Sequence, residues 1–254
     1  MSFASLLKEI QTGKSAGPVT RALANWDGVI TKEAVEVVNS LRLKDLEMDR
    51  SSGKGRFRGS LLGSCDRMQM LSFLGYDQEK GDDTGREIMR DGTYRHYFWQ
   101  EVGLSAGFLT EIEAKCWYEP WHFGGQLDGV MAVDSNHPGR GGFELKTTNE
   151  RTFSAVTKAG APLLKHLKQV GAYCEATGLD WFSVVYETRS YQVQWKEFVV
   201  QYDDELRDIT HGQINELLGW EAMEELPPVK EGYPKDSECT YWCSYSSVCP
   251  TATF

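Results

Sequence analysis

The sequence lacks any apolar run approaching the roughly 20 residues of a membrane-spanning helix, which argues against a helical membrane protein. It also lacks the long apolar stretch of a secretory signal after Met1. Phe3, Leu6, Leu7 and Ile10 instead predict a short docked helix, and the expected location is the cytoplasm. No internal repeat and no low-complexity tract interrupts the chain. A phosphate-binding loop is missing too: Gly13-Lys14-Ser15 looks like its end, but Lys8 stands where the first glycine belongs and no strand precedes it.

Positive charge is scarce. The 27 Lys and Arg residues face 37 Asp and Glu, a net charge of −10. Phosphates are met by local patches, however, so the whole-chain balance does not exclude nucleic acid. Residues 50–67 hold five basic side chains against one acid, and residues 140–170 hold six against two. Residues 201–238 hold eleven acids against three bases. Each basic stretch alone is also what solvated surface looks like.

What is present is globular. The 254 residues are 41% hydrophobic and 12% aromatic, enough for one sizeable core, or one core with a small appendage. Helices are expected at Thr31–Leu43, Leu61–Leu74, Asp82–Val102, Pro162–Thr177 and Asp203–Met223. Strands are expected at Leu109–Glu119, Phe123–Val133, Gly142–Thr147, Trp181–Thr188 and Tyr191–Val200. This order predicts a mixed α/β domain with a central sheet.

Chemistry concentrates on two of these strands. Glu144 and Lys146 are two apart and so share a strand face, although a lone Glu-x-Lys pair is usually just a solvated face. The preceding strand carries Asp128 between apolar and glycine neighbours, a costly place for a charge. Two carboxylates on neighbouring strands repel unless a cation sits between them. Incomplete sets of hard oxygen ligands suit Mg²⁺ or Mn²⁺. Gly92 and His96 share one face of the long helix, and Gln169 and Tyr173 share one face of a later helix, with His166 one turn earlier. Taken singly, these are a packed histidine and an ordinary polar stripe.

In order, Gly-x-x-x-His, Gly-x-x-Asp, Glu-x-Lys and Gln-x-x-x-Tyr resemble the motif series of RecB-like PD-(D/E)XK nucleases, over Gly92–Tyr173. The resemblance implies a restriction-endonuclease-like α/β core. It implies divalent-metal ligation by His96, Asp128, Glu144 and the backbone carbonyl of Leu145, with Lys146 orienting the attacking water. It further implies that Gln169 and Tyr173 position the DNA backbone. Glu113, one strand earlier, is a candidate supporting carboxylate. Arg56, Arg58, Lys165 and Lys168 are the expected phosphate contacts.

Six cysteines add a separate signal. Cys239, Cys243 and Cys249 crowd a tail too short for its own core, and a cytoplasmic chain should not use disulfides there. Free thiols, zinc and an iron–sulfur cluster remain open. Cys65 is the best fourth ligand. One cysteine before the core and three after it resemble the 4Fe–4S exonucleases of the CRISPR-associated and AddB types, though the Cys239–Cys243 spacing is one residue longer than theirs. On that resemblance a cluster joins Cys65 to the tail, which should have no other means of docking, while Cys116 and Cys174 are core thiols. The expected organisation is an N-terminal helical region (1–60), the nuclease core (61–225) and a cluster-bound tail (226–254). The expected function is a DNA exonuclease, 5′→3′ on single strands by resemblance. Its alternatives are an accessory acting through recombination or CRISPR-adaptation proteins, and a non-catalytic DNA-binding module with a zinc-held tail.

Overall fold

The computed structural model describes residues 17–47, 54–79, 83–241 and 243–254. The expected helix at Phe3–Ile10, the Gly13-Lys14-Ser15 segment, Arg50 and the Asp82 start of the long helix lie outside them. Helix α1 (Pro18–Asn25) opens on a proline, whose fixed φ suits a first helical turn. Its first amides are not capped locally. Glu197, far along the chain, accepts from Val19 N (3.0 Å) and Thr20 N (2.9 Å). In α2 (Lys32–Glu47) the Thr31 hydroxyl accepts from Ala34 N at 3.2 Å, the cap expected of that threonine.

The helix expected from Leu61 begins later. Gly59–Leu61 forms a single 3₁₀ turn, Gly63 takes φ +77°, and α3 (Asp66–Leu74) starts after Cys65. Helix α4 (Asp83–Ser105) then leads into strands β2 (Leu109–Tyr118), β3 (Phe123–Met131) and β4 (Gly141–Thr148). Helix α5 (Glu150–Ala159) was not anticipated, although its signals are present: Asn149 caps Thr152 N at 2.9 Å and Gly160 ends the helix at φ +69°. Helix α6 (Leu164–Thr177), β5 (Trp181–Thr188), β6 (Trp195–Gln201) and α7 (Asp204–Ala222) follow. Strand β6 begins four residues after Tyr191, because Ser190 and Gln194 fold back on Thr188 in a turn. A short helix α8 (Ser237–Tyr241) lies in the tail.

The sheet is mixed, as the element order predicts. β4 and β5 are parallel, joined by a crossover through α5 and α6, and β6 returns antiparallel to β5. β5 is buried along its whole length: Phe182, Val184 and Tyr186 pack toward one apolar cluster, Trp181 and Val185 toward the other. A two-residue strand, β1 (Phe57–Arg58), pairs with Phe123 and Gly124, so the chain before residue 61 enters the sheet.

Strand β3 has an interrupted edge. β2 covers one side of it from Leu109 to Tyr118. On the other side β1 pairs at Phe123 and Gly124, and β4 pairs only at Gly129 and Val130. Among the described residues, no strand lies beside residues 125–128 on that edge. Two side chains from different helices fill the gap. Tyr173 Oη on α6 donates to Gln126 O at 3.1 Å, and Gln100 Nε2 on α4 donates to Asp128 O at 3.2 Å. They take over hydrogen bonds that a continuous ladder would have made.

The tail docks in its own right, which overturns the expectation that cysteine ligation alone must hold it. Buried Arg67 donates to Cys249 O (3.0 and 2.7 Å) and Pro227 O (2.6 Å). Met68, Leu71, Tyr245 and Cys249 form a small apolar cluster beneath. Cys65 N donates to Glu238 at 3.0 Å, and Tyr76 Oη donates to Thr253 O at 2.7 Å. The stretch gains a core by sharing that of α3.

Candidate active site

Asp128 lies where β3 and β4 separate. Its Oδ2 accepts from Leu145 N at 2.6 Å and stands 3.2 Å from His96 Nε2. Leu145 N is free to do this because β4 has left the β3 ladder after Phe143. His96 reaches the site from α4, with Nδ1 bonded to Gly92 O at 2.8 Å. A Cβ on Gly92 would stand 3.4 Å from Thr147 Oγ1, an ordinary contact, so α4 runs close to β4 here without needing the glycine.

Glu144 and Lys146 project together from β4. Lys146 Nζ donates to Glu144 Oε1 and to Gln169 Oε1, both at 2.7 Å. Gln169 Nε2 donates to the same Glu144 oxygen at 2.9 Å. Glu144 is 3% exposed, and its Oε2 is buried without a hydrogen-bond partner. Such an orphan costs desolvation energy that nothing in the protein returns.

The charges are arranged to conflict. Burial pushes the Glu144 carboxyl up, and the neighbouring Asp128 charge pushes it further, to about 7. Burial also opposes ionisation of Asp128, but His96, Lys146 and the Leu145 N–H hold it below the usual carboxylate range. Burial works against a charged His96, yet the adjoining Asp128 carboxylate prevails and raises it to about 10. One carboxylate is thus ionised and paired, and the other hovers near neutrality.

The structure brings together five of the expected residues: His96, Asp128, Glu144, Lys146 and Gln169. Tyr173 adjoins them at 3.3 Å from Gln169. Gln169 and Tyr173 are 4% and 3% exposed, and both make hydrogen bonds within the protein. They are positioning residues, one holding Glu144 and Lys146, the other filling the β3 gap. Glu113 takes φ +53° and accepts from Gln100 Nε2, which ties it to the Asp128 backbone. Gln100 itself escaped the sequence reading. Its signal was present, one turn beyond His96 on the same helical face.

The phosphate candidates divide. Arg58 lies in register with Gly124 on β3, and the Arg56 stem crosses the same glycine, 3.4 Å from where its Cβ would be. Lys165 is exposed at the start of α6. Lys168 is engaged within the protein, donating to Gln213, which in turn donates to Asp66.

Cys65, Cys239, Cys243 and Cys249 line one small pocket between α3 and the tail. All six cysteines are free thiols. Burial pushes the Cys65, Cys239 and Cys243 thiols up. Cys116 and Cys174 stand apart in the main core, as expected. Among the described residues no three His, Cys, Asp or Glu side chains are preassembled around a single ion position. At the sheet, His96 closes on Asp128, and Glu144 is held by Lys146 and Gln169.

No protein-family model matches the sequence, and no curated protein matches it. Among solved structures, SSO0001 is similar over 87% of this chain and 98% of its own, at 15% identity and a TM-score of 0.51. The alkaline exonuclease LHK-Exo of Laribacter hongkongensis is similar over 68% and 90%, at 19% identity and a TM-score of 0.47. A phage-related exonuclease of Haemophilus somnus 129PT is similar over 65% and 92%, at 13% identity and a TM-score of 0.39. At these identities, what the chain shares with SSO0001 is a fold: a central mixed sheet flanked by helices.

Proposed function

We propose that the protein is a metal-dependent nuclease of the restriction-endonuclease-like fold, hydrolysing phosphodiester bonds at DNA ends. The observation that carries this reading is the meeting of Asp128, Glu144 and Lys146 at one point, with a buried, unpartnered Glu144 oxygen. An oxygen left unsatisfied beside a second carboxylate suits a hard cation. His96 Nε2, Asp128 and Glu144 would hold Mg²⁺ or Mn²⁺. In an extended strand a residue's N–H and C=O leave on the same edge, so the Leu145 carbonyl faces the same gap as its N–H and can join them. The bond from His96 Nδ1 to Gly92 O favours the tautomer that leaves Nε2 free for a metal.

When bound, the ion supplies an activated water and neutralises charge on the phosphate. Lys146, held by Gln169, orients the nucleophile and stabilises charge developing on the phosphoryl oxygens. Arg56, Arg58 and Lys165 would track the strand. The motif resemblance supports exonuclease action on single strands in the 5′→3′ direction. The four thiols around one pocket support a 4Fe–4S cluster between α3 and the tail.

The test is anaerobic purification, followed by incubation with end-labelled single- and double-stranded DNA and Mg²⁺ or Mn²⁺. Stepwise loss of terminal nucleotides, abolished by chelator and by Asp128→Asn, is expected. Binding without cleavage in either metal would overturn the reading in favour of a non-catalytic DNA-binding module.

A further inference from the structure

His166 lies one turn before Gln169 on the face of α6 that meets the site, and the reading above gives it no task. Its surroundings are specific. Tyr186 on β5 is in direct register with Lys146 on β4, so the two side chains leave the same face of the sheet. The Tyr186 hydroxyl is buried, accepts from Leu163 N at 3.0 Å, and lies 2.5 Å from His166 Nδ1. A phenol that accepts from a backbone amide still has one proton to place. Among the described residues the acceptor beside it is His166 Nδ1, so Tyr186 donates there and the ring proton of His166 sits on Nε2. Among the described residues that second nitrogen has no hydrogen-bond partner, and the ring is partly exposed.

The ring also stays uncharged. Burial, then the Lys146 and Lys165 charges, hold His166 far below the usual histidine range, to about 2. A neutral N–H donor is thereby fixed beside the lysine that would meet the phosphate.

We propose that His166 contacts the substrate, its Nε2–H donating to a non-bridging phosphodiester oxygen next to Lys146, while Tyr186 is a positioning residue that fixes the ring tautomer. This rests on the nuclease reading. It assigns the site a donor that recognises phosphate by a directed hydrogen bond without adding charge. Loss of His166 should therefore weaken the reaction without changing how steeply it depends on salt, because no counterion release is tied to a neutral group.

The experiment compares the full-length wild type with His166→Leu, His166→Gln and Tyr186→Phe on an end-labelled single-stranded oligodeoxynucleotide with Mn²⁺. Circular dichroism confirms folding. His166→Leu should lose about ten- to hundredfold in kcat/KM, the worth of one hydrogen bond to a charged group. His166→Gln, which restores an N–H near the Nε2 position, should recover to within about threefold of wild type, and Tyr186→Phe should fall between the two. The slope of log kcat/KM against log salt should be the same in all four proteins. A methylphosphonate at the contacted linkage should slow the wild type by a larger factor than it slows His166→Leu. An active wild type matched by an equally active His166→Leu would overturn this inference alone. So would a folded His166→Gln as impaired as His166→Leu. An inert wild type would overturn the nuclease reading, and this inference with it.

Discussion

His96 Nε2 and Asp128 Oδ2 stand 3.2 Å apart, with the other imidazole nitrogen bonded to Gly92 O. In this arrangement the histidine must hold two protons, one for each partner. A metal ligand must give one up. The metal-free site is therefore held closed by a proton that ligation would expel.

Metal affinity should rise with pH. Glu144 keeps its proton to about 7 and His96 to about 10, and ligation needs both protons gone. Between those values affinity should gain about tenfold per pH unit, and below about 7 it should gain more steeply. Calorimetric titration with Mn²⁺ from pH 6 to 8 measures this. An affinity that does not change with pH would remove His96 and Glu144 from the ligand set.

Stability of the metal-free protein should run the other way. The raised His96 pKa contributes stability that is complete below its unfolded value of 6.5 and is lost as pH rises through about 10. Glu144 adds to the trend, because its burial penalty is absent below 4.5, grows as pH rises and is complete at about 7. With chelator present, melting temperature should fall between pH 6 and pH 9. Glu144→Gln should raise it by about 5 °C at pH 9, leave it unchanged near pH 4, and abolish cleavage.

Lys146→Ala should cost cleavage roughly a hundredfold or more while the protein still folds. Glu144 can respond by keeping its proton, since its carboxyl already titrates near 7. A variant that degrades DNA at the wild-type rate would remove Lys146 from the chemistry.

The tail offers a separation of two roles. Arg67→Ala strips the donors from Cys249 O and Pro227 O and should destabilise by about 2–4 kcal/mol, with early proteolysis after residue 226. Cys65→Ala should lose iron and sulfide yet leave the tail docked, because Arg67 and the Met68–Leu71–Tyr245 cluster remain. Limited proteolysis beside iron and sulfide assays distinguishes the two. Stoichiometric zinc in the anaerobic wild type would end the cluster assignment without touching the sheet site.

Glu197→Ala should release α1. It removes the acceptor for Val19 N and Thr20 N and should cost about 1–2 kcal/mol. Amide exchange would show it as fast labelling of these two residues, with β5 still protected.

Glu144, Lys146 and Asp128 were legible because strand alternation and the expense of a flanked carboxylate are local facts. The helices capped by Thr31 and Asp203 were legible for the same reason, whereas α5, capped by Asn149, was passed over. Arg67 was not, since a side chain that grips carbonyls 160 and 182 residues away leaves no periodic trace. β1 is two residues long, too short for any alternation to register. Tyr173 and Gln169 were found as a pair, but only the fold shows that both are buried and that Tyr173 bonds to the β3 backbone.

The open stretch of β3 has a mechanical side. Within the sheet, Asp128 rides with β1 and β2, whereas Glu144 and Lys146 ride with β5 and β6, and only two residue pairs stitch β3 to β4. Leaf and leaf are each well laced; the seam between them is short. Anything that grips both carboxylates adds a further stitch at the seam's open end. Loading the site should therefore slow amide exchange at Leu145 and across the Gly129–Phe143 join, stiffening the molecule along the line where its sheet is thinnest.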